Sequence, residues 1–206
     1  MIRSFLDLER EARRIVTGRR YALLMERCFH APQYHSYSLL RHMRYVVRAA
    51  MRIRQESGVD VLAAALYHDV GKFACVMERD ISDPEMFADH EARSAEIAVA
   101  DGLPDATVFA IANHDAAYRG AIGFDPAAFA ALAGHDPERL RQLVGLCAAD
   151  AAGKGFRALG TKKQRPKIAL LLHTVAATRL EDLGFAAAVF DAADRGDFAA
   201  GCTAAG

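Results

Sequence analysis

The stretch Val61-Leu62-Ala63-Ala64-Ala65-Leu66-Tyr67-His68-Asp69-Val70-Gly71-Lys72 decides how the rest of the chain is read. Its first seven residues are all apolar or aromatic. The three consecutive alanines argue for a buried helix, because Ala is the strongest helix former whereas strands favour β-branched and aromatic residues. The helix is expected to end at His68-Asp69, with Gly71 as the break. An imidazole and a carboxylate side by side at the end of a buried helix are costly to desolvate unless both find partners. A divalent cation is one such partner, since adjacent side chains can reach a common ion where a helix ends.

Helical spacing continues on both sides. Leu39, Leu40, Met43, Val46, Val47, Ala50 and Met51 mark a long amphipathic helix from about 35 to 56, stopped by Ser57-Gly58. His42 sits at the edge of its apolar face. Ser4 precedes Phe5, Leu8, Ala12, Ile15 and Val16, a stripe on a helix ending near Gly18, and a short helix fits residues 20–30. Further helices fit about 85–101, 104–118, 126–133, 137–152 and 165–183, with Pro84, Pro104, Pro126 and Pro137 suited to first turns. No run alternates with period two. The expectation is an all-α fold, one bundle of seven to nine helices with the site at its centre. Residues 1–32 are expected as an N-terminal helical extension packing on the core, 33–183 as the metal-binding helical domain, and 184–206 as an Ala/Gly-rich tail.

The chain has 206 residues and is 52% hydrophobic, but 42 of the residues are Ala, so the core of large side chains is smaller than that figure suggests. Apolar content at this level, with 25% charged residues, excludes a disordered chain. No stretch approaches the roughly 18 uncharged apolar residues needed to cross a bilayer, so no membrane association is expected. Charges interrupt every apolar pair at the N-terminus, which argues against a signal peptide. Cys28, Cys75, Cys147 and Cys202 are far apart, as fits reduced thiols in a cytoplasmic protein. The zero net charge hides an asymmetry: residues 1–54 hold twelve Arg against four acids. Lys162, Lys163, Arg165 and Lys167 form a second basic cluster. Neither cluster shows an aromatic-interleaved RNA-binding motif, so solvated helix faces with Arg paired to nearby Glu are the plainer reading, and an attractive field for phosphate or nucleic acid is the functional one.

Chemistry-bearing residues fall in a fixed order: His42, His68-Asp69, His90, His114 and Asp150, the last inside Ala148-Ala149-Asp150-Ala151-Ala152. Each alone has a plain structural explanation, as a core histidine, a cap or an ion pair. His135-Asp136 is a second His-Asp dipeptide, but the Pro137 that follows makes it an Asp N-cap. His30, in a loop, and His173, among leucines, are set aside. No Walker-type loop or dinucleotide fingerprint is present.

This order resembles the HD-domain metal-dependent phosphohydrolase superfamily, and is most similar to the HD domain of bacterial tRNA CCA-adding enzymes. Tyr34-His35-Ser36-Tyr37 with His42 looks like that family's first-histidine block, and Leu66 to Lys72 like its central motif. His90-Glu91 and His114 look like its intervening histidines, and Ala149-Asp150 with Gly153-Lys154-Gly155 like its last motif. The likeness covers roughly residues 33–156, and with no nucleotidyltransferase head in it, CCA polymerisation is not implied. The resemblance implies that His42, His68, Asp69 and Asp150 bind one divalent ion. It also implies that Asp69 can bridge to a second, and that His90 and His114 ligate that ion or hold the substrate phosphate. One or two ions of Mn, Mg, Fe, Co, Ni or Zn are expected, since imidazole-rich sites accept several first-row metals. Lys72 suits a phosphate oxygen as a point charge, though its default place is the surface. Arg93 and Lys154 are candidates for the same work. His35, two turns before His42, is a candidate for substrate contact, for support of the site or for helix entry.

The expected function is hydrolysis of a phosphomonoester or phosphodiester, including 2′,3′-cyclic ends, of a nucleotide or nucleic-acid-like substrate, with metal-activated water as nucleophile. The partner is then a phosphate-containing small molecule or a nucleic-acid end. A non-catalytic nucleotide- or RNA-binding module is the alternative, and a helical interaction domain with structural polar residues the third reading.

Overall fold

A computed structural model describes residues 1–26, 37–83, 85–116 and 126–154. Among these residues every regular element is helical: α1 (Phe5–Ile15), α2 (Tyr21–Met25), α3 (Leu39–Ser57), α4 (Leu62–Tyr67), α5 (Gly71–Glu78), α6 (His90–Ala100), α7 (Asp105–Asn113), α8 (Pro126–Leu132) and α9 (Pro137–Gly153), with a 3₁₀ turn at Gly18–Arg20 before α2. The expected helix at 165–183, the tail, the second basic cluster, His30, His35 and His173 lie outside the described residues. The all-α class is borne out.

Helix limits follow local chemistry. The Ser4 side chain accepts from the Asp7 N–H and starts α1, and Ser38 does the same for α3 through Arg41. Gly58, at φ 75, closes α3, matching the expected stop. Asp136 caps α9 by accepting from the Glu138 and Arg139 N–H groups, with Pro137 as first helical residue, so the second His-Asp pair is a cap, as read from the sequence.

Three expectations are corrected. Gly71 is not a break but the first residue of α5, a helix absent from the sequence reading. Its role is spatial: a Cβ there would lie 2.3 Å from the His90 carbonyl oxygen, so α5 can approach α6 this closely only without one. The Gly71 N–H donates to Ser94 Oγ at 2.9 Å across the same contact. Next, the helix expected from about 85 begins at His90. Residues 85–89 instead form turns, gathered by Arg79, which donates to the Glu85, Met86 and Ala88 carbonyls. Asp89, at φ 61, makes the final left-handed turn into α6; Asp tolerates this conformation better than most residues. Finally, the helix from 104 ends at Asn113, five residues short of expectation.

The core lies between α3, α9 and α7, with α4 beneath them and α5–α6 flanking. Leu39, Met43, Val46 and Ala50 of α3 meet Leu143, Val144, Leu146 and Cys147 of α9, all fully or almost fully buried. A Cβ at Gly153 would sit 2.4 Å from Val46 Cγ2 and 3.1 Å from His42 Nδ1, so the end of α9 is pressed onto α3 at His42. From α1, Leu8 and Ala12 join the same core. Tyr67 ties the N-terminal segment down by accepting from the Ile2 N–H at 2.6 Å while its hydroxyl donates to Asp101. No helix among the described residues is long and apolar enough to cross a membrane.

Candidate metal centre

Six side chains reach one interior point from five places in the chain. His42 comes from the buried face of α3, His68 from the end of α4 and Asp69 from the turn that follows. His90 opens α6, His114 follows α7, and Asp150 lies in the last turn of α9. None is more than 5% exposed, so none can rely on bulk water, and each must be satisfied within the protein.

Three imidazoles are oriented by backbone carbonyls just before them in the chain. The Nδ1–H groups of His68, His90 and His114 donate to the carbonyls three residues earlier, Ala65, Phe87 and Ile111, at 2.9, 2.8 and 2.8 Å. This bond places the proton on Nδ1 and leaves the Nε2 lone pair facing the interior, the tautomer that a metal-binding histidine requires. His42 also directs Nε2 inward, 3.3 Å from His68 Nε2 and 3.2 Å from Asp150 Oδ1.

Asp69 sits between two sets of donors. Its Oδ2 is 3.6 Å from His42 Nε2 and 3.4 Å from His68 Nε2. Its Oδ1 is 3.2 Å from His90 Nε2 and 3.8 Å from His114 Nε2. Two donor triads result, His42–His68–Asp150 and Asp69–His90–His114, each with its ligand atoms within 4.8 Å of one another. Donors about 2.1 Å from a shared ion stand roughly 3.0–3.4 Å apart at octahedral to tetrahedral angles, close to what is seen here.

The donor set passes a further test of fit. Asp69 Oδ1 and His90 Nε2 are buried and close together, yet neither makes an aligned hydrogen bond. With the His90 proton on Nδ1 both atoms are acceptors, so neither can satisfy the other and each is left needing an electrophilic partner. Mixed imidazole and carboxylate donors suit a first-row divalent ion.

The charge states agree. Burial lowers the His68 imidazole to about 4, only partly offset by Asp69, and burial together with Lys72 lowers His90. Both rings are therefore neutral near pH 7. Burial alone would raise Asp69 and Asp150, but Lys72 and Lys154 together with the neighbouring histidines outweigh it and hold both carboxyls well below their ordinary range. Lys72 Nζ is 2.9 Å from Asp69 Oδ2 and Lys154 Nζ 2.7 Å from Asp150 Oδ2. Lys72 is thus a buried counter-ion, not the surface residue its default reading suggested. Arg93 turns its guanidinium to Glu78.

Two acids that the sequence reading did not nominate also lie here. Glu91 is buried next to His90, and Asp115 is half-buried next to His114; with His90 they offer a third group of donor atoms within 4.8 Å. The signal was available: each follows a candidate histidine directly, as Asp69 follows His68. What separates these pairs from His135-Asp136 is burial, which only the fold supplies.

No curated protein and no solved structure matches the chain. The family model described as HD domain matches residues 39–153, a span that begins with α3 and ends with α9 and so includes all six converging side chains. On the strength of that match, over more than half its length, the chain belongs to the HD domain family.

Proposed function

We propose that the protein is a metal-dependent phosphohydrolase that cleaves a phosphomonoester or phosphodiester, 2′,3′-cyclic ends included, of a nucleotide or nucleic-acid end. His42, His68, Asp69 and Asp150 would hold one divalent ion, and His90 and His114, beside Asp69, would hold a second or the substrate phosphate. The observation that carries this reading is the division of the Asp69 carboxylate, one oxygen toward each histidine pair. When bound, such ions lower the pKa of coordinated water and offset charge on phosphoryl oxygens.

The chain's own residues do the rest. The backbone bonds at Nδ1 keep three imidazoles in the ligating tautomer and fix their directions. Lys72 and Lys154 keep the two aspartates ionised and balance their charge inside a dry site. Lys72 is assigned a second task, contact with a substrate phosphate oxygen, which its flexible stem allows once Asp69 is held by metal. Glu91 and Asp115, beside the second triad, are the carboxylates closest to hand for accepting or returning a proton.

The test is turnover of phosphomonoester, phosphodiester and 2′,3′-cyclic nucleotide substrates with each of Mn, Mg, Fe, Co, Ni and Zn. The reading requires activity with at least one of these ions. It also requires a fall of more than about a hundredfold in Asp69→Asn with helical content unchanged. A metal-loaded protein inert toward all three substrate classes would contradict it.

A further inference from the structure

The outer face of α3 carries a row of arginines. Arg41, Arg44, Arg48 and Arg52 are all exposed and recur every three or four residues, so they line one side of the helix over about 17 Å. Tyr45 lies within the same arc, and Tyr37 closes its N-terminal end with its ring 4.7 Å from that of Tyr45. The Arg41 guanidinium lies over both rings, at 5.0 and 5.7 Å, and donates to the Tyr45 hydroxyl; Arg48 lies 5.9 Å from Tyr45 and Arg44 5.7 Å from Phe5.

Elsewhere several arginines meet acids. Arg14 pairs with Glu11, Arg54 with Asp60, Arg93 with Glu78 and Arg139 with Asp105. Arg41, Arg44 and Arg48 make no ion pair among the described residues, and residues 39–55 contain no acid. The pairing with nearby Glu that the sequence suggested is not seen at Arg41, Arg44 and Arg48 among the described residues. Tyr37, Arg41, Tyr45 and Arg48 are three or four residues apart, so the aromatic interleaving that looked absent in one dimension forms along the helix.

We infer that this face of α3 binds single-stranded nucleic acid, with Arg41, Arg44, Arg48 and Arg52 on the phosphates and Tyr37 and Tyr45 stacking on bases. Arg41, Arg44 and Arg48, in a line and with no ion pair among the described residues, match a polyanionic strand, and half-buried rings with guanidiniums laid across them offer flat surfaces to unpaired bases. An anionic bilayer fits less well. Interfacial helices insert an apolar face, and that of α3 is already buried against α9. The inner face of the same helix carries His42, so a strand held outside is anchored on the element that contributes to the candidate centre. The inference rests on the phosphohydrolase reading only for the fate of the strand's end, not for binding.

The experiment is fluorescence anisotropy of a labelled twelve-nucleotide single-stranded RNA of mixed sequence with the full chain in EDTA, over a range of salt. Saturable binding is expected, with log K falling against log salt at a slope of about −2 to −3, as for three or four phosphates. The Arg44→Gln/Arg48→Gln variant should bind at least about tenfold more weakly, with the slope reduced in magnitude by about 1.4. Tyr45→Leu should weaken binding about five- to hundredfold at unchanged slope. Both Arg sites are solvent-exposed, so that variant should keep the wild-type circular dichroism and melting; if Tyr45→Leu does not fold, the Arg variant decides alone. Absence of binding at low salt, variants that bind like wild type, or preference for phosphatidylserine vesicles or duplex over the single strand would each overturn the inference. Asp69→Asn should bind as wild type does. Binding without turnover would count against the hydrolase reading alone, and turnover of small phosphoesters without RNA binding against this inference alone.

Discussion

Lys72 Nζ lies 2.9 Å from Asp69 Oδ2, and both side chains are buried. With the surrounding histidines, the ammonium keeps the shared carboxylate ionised in a place where burial would otherwise favour its neutral form. Removing one member of a buried pair costs about 3–5 kcal/mol, because the other charge is left uncompensated. Lys72→Met should therefore lower the melting temperature of the EDTA-treated protein by several degrees. A divalent ion supplies the missing positive charge, so metal should raise the melting temperature more in Lys72→Met than in wild type. Equal metal-induced shifts in differential scanning calorimetry would show that Lys72 does not balance the site.

The metal-free protein should lose stability on mild acidification. Burial lowers His68 from 6.5 to about 4, so between these values the unfolded chain takes up a proton that the folded chain refuses. Stability is thus lost as pH falls from about 6.5 toward 4, by up to about 3 kcal/mol for this ring, and His90, lowered in the same direction, adds to it. The stability contributed by ionised Asp69 and Asp150 goes only at lower pH, as it falls through their depressed folded values. Melting temperatures in EDTA at pH 7, 6 and 5 check this; a flat profile would mean the rings are not buried and neutral.

Gly153→Ala tests the packing behind His42. The new methyl would meet Val46 Cγ2 at 2.4 Å and the His42 ring at 3.1 Å. Overpacking of this kind costs about 1–3 kcal/mol, and displacing a candidate ligand ring should weaken metal affinity about 10–100-fold. Isothermal titration with Mn or Co measures the second effect directly, and unchanged affinity would separate His42 from the binding site.

Ligand substitutions should divide by triad. Asp150→Asn removes a donor near His42, and His114→Gln one near His90. If two ions bind, each variant should lose about one equivalent by elemental analysis, whereas Asp69→Asn, which faces both triads, should weaken both. A single pattern of loss for all three would indicate one ion.

That His42, His68-Asp69 and Asp150 each need a partner was legible in sequence because each sits in an apolar helical setting, and that they share one was what the resemblance to the HD-domain superfamily implied. The existence of most helices was legible for a related reason, since apolar spacing and caps such as Ser4, Ser38 and Asp136 are local signals. What stayed hidden depends on contacts between distant segments. Gly71 reads as a helix break when its use is to let α5 press on the His90 carbonyl, and with α5 unrecognised Lys72 could not be seen to be buried. Glu91 and Asp115 look like ordinary acids until the fold buries the one and half-buries the other beside candidate histidines.

Anomalous scattering from crystals grown with Mn or Co addresses the central claim most directly. The account predicts a peak within about 2.0–2.3 Å of the His42 and His68 Nε2 atoms and of the Asp69 and Asp150 carboxylates, with any second peak on the His90–His114 side of Asp69. Crystals soaked in either metal that show no peak among these six side chains, or a peak only elsewhere on the protein, would contradict it.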